Sequence, residues 1–211
     1  MMKGDTIMNE FSQNYINDLI HLLTLFPHDQ FERLINTLLS AYDDERKIFV
    51  MGNGGSAATA SHWVCDINKG CSMNHNNNNN TKRFKMMCLN DNIATILAYA
   101  NDSCYDDIFV EQLKNFLSPE DVVIGISGSG NSNNVVKAIE YANENGGITI
   151  GLCGFNGGKL YSIVHVPILA NIHDMQKVED VHTIITHMAM QRVCEILNSF
   201  KQLPLIREVS A

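Results

Sequence analysis

Five short apolar runs, each continuous rather than alternating with polar residues, set the strongest limit on the fold. They are KIFVMGN (47–53), FKMMCLN (84–90), VVIGISG (122–128), ITIGLCG (148–154) and IVHVPI (163–168). A strand that is apolar on both sides of its pleat has to be covered on both faces, which is the condition of a parallel sheet wrapped by helices. The stretches between the runs read as helices: 56–68, the segment around 93–100, 132–145 and 157–161. Strand–helix alternation of this kind predicts a parallel α/β sheet with right-handed crossovers. With 211 residues, 45% of them hydrophobic and 18% charged, there is apolar mass for one sizeable core and no case for general disorder.

The flanks differ in style. Over 9–40, Phe11, Tyr15, Leu19, Leu22 and Leu23 follow a helical period. Pro27 interrupts it, and Leu34, Ile35, Leu38 and Leu39 resume it. This is a helical hairpin ahead of the main domain, with more apolar surface than one neighbour covers; packing between subunits would use it. A long last helix is expected from about 177 to 200, ahead of Pro204. The organisation expected is therefore a helical extension (1–45), a main domain (46–200) and a tail (201–211). The low-complexity segment NHNNNNN (74–80) reads as a surface loop.

Several function classes are disfavoured at once. Lys and Arg total 15 against 23 Asp and Glu, a net charge of −8 with no basic run, which does not suit direct nucleic-acid binding. No stretch has the length and apolarity of a membrane span, and MMKGDTIMNEF has acids and amides where a signal peptide has an apolar block. A cytoplasmic protein is expected. The six cysteines (Cys65, Cys71, Cys88, Cys104, Cys153, Cys194) form no CxxC pair and read as buried thiols.

In open parallel sheets, ligands bind beyond the carboxyl ends of the strands, where strand order reverses. Two predicted strand ends carry small, polar sequences. One is Asn53-Gly54-Gly55-Ser56, the other Ser127-Gly128-Ser129-Gly130-Asn131-Ser132. Glycines let backbone approach a guest, the N–H groups of the following helix favour an anion, and serine hydroxyls add neutral donors. There is no GxxxxGK[ST] lysine, and no GxGxxG with an acid about twenty residues on, so nucleotide triphosphates and dinucleotides fit poorly. A phosphate monoester remains. His62 and Asp66 share a face of the helix after the first loop, and Glu179, Asp180, His182 and His187 lie near the start of the last helix. At about 100° per residue, Asp180 and His187 nearly eclipse while Glu179 sits about 80° away, so periodicity does not choose among them. A carboxylate and an imidazole beside a phosphate suit acid–base chemistry, or a metal held by N and O ligands.

At this point GNGGSAATASHWVCD, CLNDN with AND and YDDIF, ISGSGNSNNVVKAI and EDVHTIITH resemble the sugar isomerase (SIS) domain family, and within it the phosphoheptose isomerases. The resemblance runs from about residue 10 to 198. It implies a three-layer αβα sandwich with a five-stranded parallel sheet, an N-terminal helical extension used in tetramer packing, and active sites at subunit boundaries. It implies conversion of sedoheptulose 7-phosphate to D-glycero-D-manno-heptose 7-phosphate. By that resemblance Ser56, Ser127, Ser129 and Ser132, with Gly54 and Gly128, hold the phosphate, and Asn53, Asp91 and Gln176 face the sugar. His187 matches the catalytic histidine, which also ligates zinc in members that bind it, and His62 matches another zinc ligand.

Two departures bear on the chemistry. The family's glutamate four residues after the first histidine is Asp66 here, and its glutamine at the start of the last helix is Glu179. Asp66 is shorter by a methylene, so either carboxylate is a candidate base, and His62, Asp66, Glu179 and His187 together would make a tetrahedral metal set. The competing readings are a non-catalytic phosphosugar-binding regulator, an adaptor of the kind one relative forms with a replication initiator, and an isomerase of another phosphosugar. Retention of His187 with two carboxylates favours an enzyme.

Overall fold

The computed structural model describes residues 3–73 and 82–199. Two helices, α1 (Lys3–Thr24) and α2 (His28–Asp43), lead into β1 (Lys47–Gly52) and α3 (Gly55–Met73). Next come β2 (Lys85–Cys88), α4 (Ile93–Asp102), a 3-10 turn at Tyr105–Asp107 and α5 (Val110–Phe116). The remainder is β3 (Val122–Ser127), α6 (Asn133–Glu144), β4 (Ile148–Gly154), α7 (Gly158–Ile163), β5 (Val166–Ala170) and α8 (Met175–Ser199). The Asn-rich segment 74–80 and the tail 201–211 lie outside the described residues.

The strands form one sheet in the order β2-β1-β3-β4-β5, parallel at every pairing. Order therefore reverses between β1 and β3, whose carboxyl ends are adjacent, with Gly52 opposite Ile126. The continuous apolar runs are covered on both sides, as expected. Ile48, Val50, Ile124, Ile126, Ile150 and Leu152 face a core completed by α2, α3 and α8. Phe49, Met51, Val123 and Cys153 face a second core with α5, α6 and α7. Each fully buried Phe, Ile or Val side chain stabilises the fold by roughly 1.5–3 kcal/mol relative to exposure.

Four features depart from the sequence reading. Helix α2 is not a simple appendage: Leu34, Ile35, Leu38, Ala41 and Tyr42 are buried in the main core. Helix α1 instead leaves Phe11, Ile16, Ile20 and Leu25 exposed. The last strand starts three residues later than the run IVHVPI, because α7 continues through Ile163. Pro167 is tolerated there because β5 is an edge strand. The segment between α4 and β3, unassigned by periodicity, folds as the 3-10 turn and α5. All six cysteines are free; Cys71 and Cys153 are buried as expected, whereas Cys65 and Cys104 are exposed.

At the amino end of the sheet, the buried Asp121 carboxylate accepts from Lys47 N (2.9 Å), Lys47 Nζ (2.9 Å) and Ser118 N (2.8 Å). It fastens the start of β1 to the turn before β3. Among the described residues no helix is long and apolar enough to cross a membrane.

Candidate active site

The crevice at the β1/β3 reversal holds the two loops singled out from sequence. Asn53 and Gly54 leave β1, with Gly54 at φ +55°, and Ser56 opens α3 almost fully buried. After β3, Ser127 Oγ and Ser132 Oγ are 3.0 Å apart, and Ser132 stands at the N-cap of α6 without capping it through its side chain. Neither α3 nor α6 has an acidic residue in its first turn. The amino end of α6 thus brings positive potential to the crevice, with the hydroxyls beside it, an arrangement suited to an anion. Ser129 Oγ accepts from Asn131 N at 3.2 Å.

The serine loop is held rigid by its neighbours. Gly154 N donates to Gly128 O (2.9 Å), and Leu160 N donates to Gly130 O (2.9 Å). Gly130 has φ +66°, and an added Cβ would collide with the Gly157 carbonyl. Only glycine satisfies both demands there.

Helices α3 and α8 run side by side and place the ionisable groups. Gly55 lies against Glu179, His62 against His187, and Gly70 against Met190, so the two helices are parallel. His62 Nε2 and His187 Nε2 are 3.0 Å apart, with the rings at 77° to each other. Asp66 Oδ2 lies 3.3 Å from His62 Nε2 and 3.9 Å from His187 Nε2. These three ligand atoms all fall within 4.8 Å of one another. Two ligands on a tetrahedral ion at 2.0–2.1 Å are about 3.3 Å apart, so the trio already has nearly the spacing a metal requires. Both imidazoles are about half exposed and Asp66 is partly buried.

The other predicted residues go elsewhere. Glu179 is not part of the trio: its carboxylate lies against the start of α3, where a Cβ on Gly55 would lie 2.5 Å from both its oxygens. Eight residues separate it from His187, about 12 Å along the helix axis. Asp180 accepts from the Tyr15 hydroxyl at 2.6 Å, which ties α8 to α1 and pushes the Tyr15 phenol up to about 12. His182 is buried against β4, its Nε2 3.1 Å from the Cys153 carbonyl, and burial lowers its pKa to about 4. Gln176 is exposed in the first turn of α8. Asp91 is exposed in the turn after β2; with burial, its charge raises the Cys88 thiol to about 12.

Three residues outside the predicted site set shape the crevice. Asn90 brackets Gly52, accepting from its N (3.2 Å) and donating to its O (2.8 Å), and so extends the ladder past the end of β1. Asn134 and Asn53 exchange amide hydrogen bonds of 2.8 and 2.9 Å across the strand reversal. The Tyr105 hydroxyl donates to Asn53 Oδ1 at 3.0 Å. Asn90 stands in the LNDN motif and was legible as a strand-end residue; Asn134 reads as an ordinary helix position, and only the fold reveals its partner.

A parallel sheet with a hydroxyl-lined anion cradle at its strand reversal, and acid–base groups on the two helices beside it, defines a phosphosugar-binding α/β protein. The chain belongs to the SIS domain family, whose model matches residues 13–154. It is 36% identical over 171 residues to the phosphoheptose isomerase of Geotalea daltonii, covering 78% of this chain and 80% of the relative. It is 32% identical over 169 residues to the probable phosphoheptose isomerase of Thermoplasma volcanium, covering 80% and 81%. The fold is that of the phosphoheptose isomerase GmhA from Neisseria gonorrhoeae, with a TM-score of 0.78, 23% identity, and coverage of 92% of this chain and all of that one.

Proposed function

We propose that this protein is an aldose–ketose isomerase that converts sedoheptulose 7-phosphate to D-glycero-D-manno-heptose 7-phosphate. The observation that carries this reading is the convergence of Asp66, His62 and His187, from two separate segments, on helices flanking the serine-lined cradle. The relatives named phosphoheptose isomerase support it.

The phosphate is held by Ser56, Ser127, Ser129 and Ser132 and by the amino end of α6, with Gly54 and Gly128 keeping side chains out of its way. The carbonyl end of the sugar then meets the trio, with Asn53, Asp91 and Gln176 as sugar-facing groups. Asp66 is the base: its Oδ2 faces the imidazoles, leaving Oδ1 to take the proton from C1. The C–H electron pair becomes the C1–C2 double bond, and O2 gains a proton, giving an enediol. His187 carries the proton between O1 and O2, and return of a proton to C2 completes the aldose. Positioned groups of this kind typically contribute about 10²–10⁴-fold each. The spacing of the trio suits zinc, which His62, His187 and Asp66 would hold. When bound, zinc supplies polarisation of the substrate carbonyl.

The exposed apolar side of α1 and the half-exposed imidazoles support a homotetramer with active sites at subunit boundaries. A heptose product made in the cytoplasm would feed a bacterial surface glycan such as a lipopolysaccharide core or capsule. The test is to mix purified protein with sedoheptulose 7-phosphate, with and without added zinc, and look for the aldose. Product that disappears in Asp66→Asn and persists measurably in Glu179→Gln is expected. Absence of product under both conditions would reject the activity, and the reverse pattern in the variants would reject Asp66 as base.

A further inference from the structure

The hydrogen bonds around Asn53 leave a definite remainder. A carboxamide has two acceptor positions on oxygen and two N–H donors. Asn53 Oδ1 already accepts from Asn134 Nδ2 (2.9 Å) and from the Tyr105 hydroxyl (3.0 Å). Asn53 Nδ2 donates to Asn134 Oδ1 (2.8 Å). One N–H is left, so Asn53 offers a guest a donor and nothing else. Tyr105 has the opposite remainder: its only proton is committed to Asn53, and its oxygen keeps acceptor capacity. Asn53 therefore keeps a donor and Tyr105 an acceptor, a pair that can read two oxygens of a polyol, one accepting and one donating.

Resting on the phosphosugar reading of the site, we infer that Tyr105 is a substrate-contacting, specificity-determining residue, accepting a hydrogen bond from one sugar hydroxyl while Asn53 donates to another oxygen of the sugar. The placement of its turn supports this role. Tyr105 is 55% exposed, yet the residues around it are fastened. Asp107 pairs with Lys137 and accepts from Ser103, Asn133 Nδ2 donates to Asp106 at 3.4 Å, and Ile108 and Phe109 are buried behind them. Asn133, Asn134 and Lys137 all belong to the opening turns of α6, the helix whose amino end follows the serine loop. The turns that receive the phosphate therefore also fix Tyr105 relative to it. Every phosphosugar presents the same phosphate, and a hydroxyl read at a set distance from it tells one sugar from another.

The test compares the full-length parent with Tyr105→Phe, using calorimetric binding of sedoheptulose 7-phosphate and, separately, of inorganic phosphate. Loss of one neutral hydrogen bond should weaken the sugar phosphate about five- to tenfold while inorganic phosphate stays within about twofold. KM should rise by more than kcat falls. Asp107→Asn, which loosens the turn without touching the phenol, should weaken the sugar phosphate in the same selective way. Unchanged sugar affinity in Tyr105→Phe, or equal weakening of both ligands, overturns the inference. A parent that binds the sugar phosphate without turning it over counts against the isomerase reading alone, because the binding comparison still decides the role of Tyr105.

Discussion

His182 makes the stability of this protein depend on pH in a way that can be worked out in advance. The side chain is 1% exposed, Nε2 lies against the Cys153 carbonyl at 3.1 Å, and Nδ1 has no partner among the described residues. Burial penalises the imidazolium, and the carbonyl offsets only part of that, leaving a folded-state pKa of about 4 against 6.5 for a free histidine. Between those values the unfolded chain binds a proton that the folded chain does not, so stability falls as pH falls through the window and levels off below it. At about 1.36 kcal/mol per pH unit, the loss is about 3 kcal/mol, a large share of a typical domain's margin. The perturbation is His182→Gln, which keeps a donor for the Cys153 carbonyl and removes the titration. Urea denaturation of parent and variant at pH 7, 5.5 and 4 isolates the effect, because the carboxylates titrate in both proteins. The parent should lose about 3 kcal/mol more than the variant over that range. Parallel stability curves would refute the assignment of a neutral, buried imidazole.

Three other substitutions probe separate parts of the account. Gly130→Ala forces a side chain into a left-handed backbone and onto the Gly157 carbonyl, and should lower unfolding free energy by about 2 kcal/mol or more, read by chemical denaturation. Asp121→Ala leaves Lys47 and two backbone amides without their shared buried acceptor; about 3 kcal/mol of destabilisation is expected, and a change under 1 kcal/mol would show the carboxylate to be incidental. His62→Ala should weaken zinc binding at least about tenfold in equilibrium titration with a competing chelator, and zinc bound as tightly as in the parent would remove His62 from the ligand set.

Much of this fold was legible because its signals are local. Runs of Val and Ile without alternation mark doubly covered strands whatever surrounds them, and Gly-Ser turns at strand ends mark backbone that must approach something closely. The failures have equally specific causes. In IVHVPI the apolar run straddles two elements, and only the edge position of β5 explains why a strand can contain Pro167. The 3-10 turn carrying Tyr105 is too short for any periodicity to show. On α8, helical angle put Asp180 nearly in line with His187, but seven residues separate them by about 10 Å along the axis, and Asp180 is taken up by Tyr15. Which face of α8 meets α3 is a tertiary fact, so sequence alone left Glu179, Asp180 and His182 open. The structure gives each a different setting: the amino end of α3, helix α1 and the core beneath β4.

The central claim is that a proton leaves carbon beside the carbonyl while serines hold the far phosphate. Running the reaction in D2O and examining the product by NMR tests it directly. The account predicts heptose 7-phosphate carrying deuterium at C2, formed by the parent and abolished in His187→Ala. Product formed at an undiminished rate by His187→Ala would contradict it.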